Sequence, residues 1–252
     1  VPPGVLSRRL ALLLASNGVT VTRDPTQATA TITILNEGSG RRAVAAEPGL
    51  AVCATAGPSD VEGADLVVLP GSRSTLADLD WLRRHGLADA LTARAAAGRP
   101  VLGICGGYQM LTETIDDPVE SSLGVEPGLG LLPGRVRFSE EKVLGRPRGS
   151  WHGHQVTAYE IHHGVVEVTG GEPFLDGVRH GSTWGTIWHG AFENDDFRRA
   201  WLTTVAEAVG STWRPVPGQP GFAERRAQML DALADALVEH VDLDALLARA
   251  LG

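Results

Sequence analysis

Apolar and polar positions repeat along this chain with two different periods, and the changes of period mark out its elements. At Ala30–Leu35 threonine and isoleucine alternate, as in a half-buried strand. Leu50–Thr55 reads as a second strand, with Cys53 inside it as a small hydrophobe. Residues 64–71, ADLVVLPG, form a short apolar strand that stops at Pro-Gly. Over residues 74–86 the period lengthens, and Leu76, Leu79 and Leu82 share one face of a helix. Residues 88–97 continue as helix to Gly98, residues 101–105 return to strand, and residues 107–114 form the next helix. Strands that are apolar almost throughout, alternating with helices, predict an α/β fold with a mostly parallel sheet flanked by helices.

Outside that regular stretch the pattern is weaker. Residues 6–15 read as a short helix ending at Asn17-Gly18, and residues 36–40 as a turn. Residues 117–150 are rich in glycine and proline, and short strands are expected at 135–138, 156–161 and 165–168. Residues 185–190 read as a strand end with His189 at its tip, and Asp195–Ala208 as a helix. After a Pro/Gly-rich linker at 211–221, residues 222–251 form one long or two shorter amphipathic helices.

Composition narrows the function classes. With 252 residues and 43% hydrophobic content the chain can bury a core without disulfides. A formal net charge of -8 and no long basic run argue against a nucleic-acid partner. No apolar stretch is long enough to span a membrane and no signal-peptide pattern opens the chain, so a cytoplasmic protein without a membrane partner is expected. Two cysteines, Cys53 and Cys105, suit a reducing compartment. The chain opens on Val1-Pro2-Pro3, so a processed, cut or fragmentary chain is expected.

The candidate chemistry centres on Cys105. In open parallel sheets reactive groups gather at the carboxyl ends of strands, and Cys105 sits at such an end, before a helix. The helix start is expected to lower the thiol pKa. Gly106 and Gly107 permit a tight turn and a close substrate approach, and Gly103-Ile104-Cys105-Gly106-Gly107 has the spacing of a nucleophile elbow with sulfur in place of oxygen. The other reading is an inert cysteine in a buried strand. A nucleophile needs a base, and among eight histidines His189 has the best context; its plain reading is a polar residue at a strand end. His152, His154, His162 and His163 are histidine-rich, but no HExxH or CxxC accompanies them, so no metal is expected. There is no GxxxxGK[ST] and no GxGxxG after a strand, hence no ATP or dinucleotide cradle.

The run from Gly103 to Met110, GICGGYQM, resembles the nucleophile motif of class I glutamine amidotransferases, and more closely that domain in the cobyric acid synthase family. Three further motifs fit: residues 66–83 resemble the oxyanion strand and its following helix, residues 159–164 (YEIHHG) the YEIH segment, and residues 185–190 (GTIWHG) with Phe192-Glu193-Asn194-Asp195 the catalytic-histidine segment. The resemblance runs from about residue 30 to the C-terminus. It implies a class I glutamine amidotransferase-like fold, with residues 1–29 unassigned, 30–214 as the amidotransferase domain and 215–252 as a helical extension packed on it.

It also implies that Cys105 attacks the side-chain amide of glutamine, that backbone N–H groups near Gly71 and Gly106 hold the oxyanion, and that His189 protonates the leaving ammonia. Gln109, Tyr159, Glu160, His162 and Glu193 would position substrate or face an interface. Ammonia would pass to a synthetase domain or subunit that uses ATP and Mg to amidate a corrinoid acceptor; the amidotransferase itself would need no cofactor. Two departures from the family pattern stand out. The acid expected two residues after the histidine is replaced by Ala191, leaving Glu160, Glu193, backbone atoms or water to orient His189. The synthetase domain is not visible in the chain, so a fragment or a separate subunit is expected. A related amidotransferase with another acceptor, such as a cell-wall lipid precursor, and a non-catalytic partner domain remain the competing readings.

Overall fold

The computed structural model describes residues 30–35, 47–55, 57–121, 123–241 and 249. The helix expected at 6–15 and the turn at 36–40 lie outside the described residues. The chain divides into two compact units, one of them Val21–Val216. In the other, the described part is dominated by the helix Phe222–His240. No helix among the described residues is long and apolar enough to cross a membrane.

The first half of Val21–Val216 shows the expected alternation. Strands β1 (Ala30–Leu35), β2 (Leu50–Thr55), β3 (Leu66–Leu69) and β4 (Val101–Ile104) are interleaved with helices α1 (Pro58–Gly63), α2 (Thr75–Arg84) and α3 (Leu87–Ala96). Helix α4 (Gly106–Leu111) then ends earlier than expected, because both the hydroxyl and the N–H of Thr112 bond the Gln109 carbonyl and turn the chain. Beyond α4 the chain is almost all strand: β5 (Thr114–Asp117), β6 (Gly124–Pro127), β7 (Gly134–Gly145), β8 (Arg148–Trp151), β9 (His154–Thr157), β10 (Glu160–Val168), β11 (Glu172–Phe174), β12 (Gly177–His180) and β13 (Thr183–Thr186). Helix α5 (Asp195–Ala208) closes the unit.

The expectation of a mostly parallel sheet is corrected. Pairing is parallel from β2 through β1, β3 and β4 to β13, but β12 and β11 add antiparallel edges, giving the order β11-β12-β13-β4-β3-β1-β2. A second sheet, β10-β7-β5-β6, mixes both senses; β8 and β9 form an antiparallel hairpin. The longest pairing of all, β7 with β10, is antiparallel. The cause is connection length. A parallel neighbour needs a crossover of a dozen or more residues, whereas Trp151 to His154, Phe174 to Gly177 and His180 to Thr183 are tight turns that can only reverse the chain.

The main sheet is covered on both faces. Val67, Leu69 and Val101 pack with Leu76, Leu79 and Leu82 of α2 and Leu87 and Leu91 of α3 in one buried cluster. Val68, Leu102 and Trp184 stand in register on the opposite face, where Trp184 meets Trp201 of α5 edge-on at 5.6 Å. Arg94, buried in the last turn of α3, donates to the carbonyls of Val61, Ala64, Asp65 and Pro100, tying the starts of β3 and β4 together. The carboxyl ends of those two strands are thereby held side by side, where the candidate chemistry lies.

Candidate active site

Cys105 is the hinge between β4 and α4. Its φ of 52° and ψ of -115° are costly for a residue with a side chain, and the surroundings enforce them. Its N–H donates to the Thr186 carbonyl at 2.8 Å, and its own carbonyl accepts the Gln109 N–H at 3.0 Å. The two glycines after it make room for β3. A Cβ on Gly107 would lie 2.0 Å from the Leu69 carbonyl oxygen, and one on Gly106 would lie 2.7 Å from the Ser72 nitrogen. The end of β3 therefore crosses directly over the start of α4.

That crossing also carries Gly71. A Cβ there would sit 3.1 Å from His189 Cε1 and 3.6 Å from Cys105 Cβ, so both candidate catalytic side chains border the same point. His189 lies beyond β13 and is held by a pair of backbone bonds to Tyr159, each 2.9 Å. The Tyr159 ring also stacks on the imidazole, with centroids 5.1 Å apart and planes 13° off parallel. No carboxylate among the described residues bonds the His189 ring. Ala191 is fully buried at the position of the expected acid, Glu193 is exposed, and Glu160 Oε2 lies instead 3.7 Å from His162 Nε2. The neighbours of His189 here are instead the stacked Tyr159 ring, against the imidazole, and the Tyr159 backbone, bonded to its main chain.

Gln109 is buried, and both ends of its amide are taken up inside the protein. Its oxygen accepts the Thr75 hydroxyl at 3.1 Å and its nitrogen donates to the Gly164 carbonyl at 2.9 Å. It thus pins α4 to α2 and to β10.

Burial dominates the electrostatics. It pushes the Cys105 thiol up to about 11, helped by the negative charges of Asp176 and Glu120; the Gly106 N–H, bonded to the sulfur, offsets only part of this. The helix start does act in the expected direction, through the Gly106 N–H, but burial outweighs it and the thiol pKa ends up raised, not lowered. Burial also lowers the His189 pKa, with a smaller contribution from His162. The resting pair is a neutral thiol and a neutral imidazole.

Asp176, in the turn between β11 and β12, accepts the Ile187 N–H at 3.1 Å and the Thr186 hydroxyl, whose oxygen accepts the Trp188 N–H at 3.1 Å. It locks the segment that leads to His189. Asp176→Asn keeps the shape and removes the charge, so the midpoint of the Cys105 alkylation rate against pH, measured with iodoacetamide, is expected to move to lower pH; an unchanged midpoint would contradict the assigned influence of Asp176.

Residues 42–197 match the CobB/CobQ-like glutamine amidotransferase domain family. The chain belongs to this family. Among its curated relatives, the cobyric acid synthase of Streptomyces avermitilis is 57% identical over 204 residues, which is 81% of this chain and 40% of that protein. The cobyric acid synthase of Cutibacterium acnes is 53% identical over 209 residues, 81% of this chain and 43% of that protein. The chain thus spans well under half the length of these relatives. A solved glutamine amidotransferase shares the fold, with a TM-score of 0.55 and 17% identity over 71% of this chain and 98% of that one.

In this amidotransferase domain several site residues were not visible in the sequence. Asp176 stands in a turn of a hairpin that the local pattern did not reveal. Glu120 comes near Cys105 because Asp117, 1% exposed, accepts the N–H groups of Val119, Glu120 and Ser121 and folds that loop back. Thr75 opens α2 and carries no motif of its own. A hydroxyl at a helix start reads as a cap, whereas here it serves Gln109.

Proposed function

We propose that this chain hydrolyses the side-chain amide of glutamine and passes the ammonia to an ATP-dependent synthetase portion. That portion would amidate carboxylates of adenosylcobyrinic acid a,c-diamide to give cobyric acid. The observation that carries the reading is the meeting of Cys105 and His189 on either side of Gly71, with the Gly106 N–H aimed at the sulfur. The names of the relatives support the acceptor, and ATP and Mg would serve the synthetase portion.

The chemistry starts from the neutral resting pair. Glutamine entering the site displaces water, and the thiol gives its proton to His189 as sulfur attacks the amide carbon. Backbone N–H groups around Gly71 and Gly106 take the developing oxyanion, where one donor is worth about a hundredfold to a thousandfold in rate. His189 returns its proton to the departing nitrogen, and water then releases glutamate from the thioester. Tyr159→Ala frees the imidazole from its stacked partner, so kcat is expected to fall about tenfold with KM little changed, read by steady-state glutamate release.

The deciding experiment is glutamate release from glutamine by the purified chain, alone and with a separately expressed synthetase portion. Release that rises with the synthetase portion supports the full reading. No release in either preparation would make this a binding partner and not a glutaminase. Release without transfer to the corrinoid would point to another acceptor.

A further inference from the structure

Beside the Cys105–His189 pair, one face of β10 carries a second set of converging polar atoms. Glu160, His162 and Gly164 share that face across the register shift between His162 and Gly164. The face looks toward α4, since a Cβ on Gly164 would lie 2.6 Å from Gln109 Nε2. The Gly164 carbonyl takes two bonds, from Gln109 Nε2 and from His162 Nδ1, each 2.9 Å. A carbonyl cannot donate, so Nδ1 carries the hydrogen, and in the neutral ring Nε2 is a bare acceptor. The His162 side chain is only 8% exposed, and its Nε2 is buried with no hydrogen-bond partner among the described residues.

Glu160 Oε2 stands 3.7 Å from that nitrogen, outside hydrogen-bond reach and itself an acceptor when ionised. Two acceptors at this spacing are bridged by one nitrogen about 2.9 Å from each, provided it bears at least two hydrogens. The carboxylate favours a cationic donor over a neutral one. The site lies within electrostatic reach of His189.

We infer that Glu160 and His162 form a binding slot for a primary ammonium group or ammonia beside His189. Such a group has two sources here, the α-ammonium of the amino-acid substrate and the ammonia released from its amide. Only this choice of source rests on the glutaminase reading.

The test uses the full chain carrying Cys105→Ala and 15N-labelled histidine, with His162→Asn to assign the resonance. Ammonium chloride, glutamine and glutaramic acid, which lacks the α-ammonium, are titrated separately against a sodium chloride control. The expected result is a saturable shift of the His162 Nε2 signal, absent with sodium chloride and lost in Glu160→Gln. A response to ammonium chloride assigns the slot to released ammonia. A response to glutamine but to neither ammonium chloride nor glutaramic acid assigns it to the substrate. No response to any probe, a response unchanged in Glu160→Gln, or an Nε2 already protonated at pH 7 in the free protein would overturn the slot. Glutamate release by the unmodified chain is measured in parallel, so an inactive chain that still responds to ammonium chloride refutes the glutaminase reading and not the slot.

Discussion

Cys105→Ala is expected to lower glutamate release by about 10⁴-fold or more while the chain stays folded. No other thiol borders Gly71 among the described residues, so the variant has no sulfur left to form the thioester. The helix start that carries the residue is held by backbone bonds to Thr186 and Gln109, which alanine leaves in place. Alanine does inherit a φ of 52°, so stability is measured beside activity. Cys105→Ser is expected to fail almost as completely, because a hydroxyl is a far weaker acid than a thiol and His189, with its lowered pKa, is a weak base. Residual release above about one per cent in either variant, with the fold intact by circular dichroism, would remove Cys105 from the nucleophile's role.

Gly107→Ala is expected to cost about 3 kcal/mol or more of stability, and activity with it. The new methyl would stand 2.0 Å from the Leu69 carbonyl oxygen and 2.5 Å from its carbon, and these are backbone atoms of a central strand. Relief requires β3 to move away from α4, which separates Gly71 and Ser72 from Cys105 and dismantles the expected oxyanion site. Gly63→Ala is the control: nothing lies within 4 Å of a Cβ there, and a helical alanine is worth up to about 1 kcal/mol over glycine. Urea denaturation of the two variants decides the matter. Equal midpoints would mean that β3 does not press on the helix start as described.

The first half of the fold was legible because each element there advertises its own period. The spacing of Leu76, Leu79 and Leu82 showed the buried face of α2, and all three are buried. The second half was legible only in part: the helix expected at Asp195–Ala208 is there, but most of the strands before it were not foreseen. In the glycine- and proline-rich stretch 117–150 only a short strand at 135–138 was expected, yet Gly134–Gly145 is a single long strand, and its register partner β10 was divided between two shorter expected strands. Antiparallel order emerges from turn lengths, which a strand's own composition does not encode. At the site, Cys105 and His189 could be singled out by their neighbours in sequence. The state of the thiol could not, since burial is a property of everything packed around it. The same holds for Gln109, whose partners Thr75 and Gly164 come from distant parts of the chain.

A thiol held at about 11 exposes only about one molecule in ten thousand as thiolate at pH 7. Peroxides, disulfides and electrophiles react with the thiolate, so the resting thiol is expected to oxidise slowly. On the proposed mechanism, vulnerability would be confined to the interval in which His189 has taken the proton. An arrangement that makes the nucleophile wait for its substrate would also preserve it between turnovers.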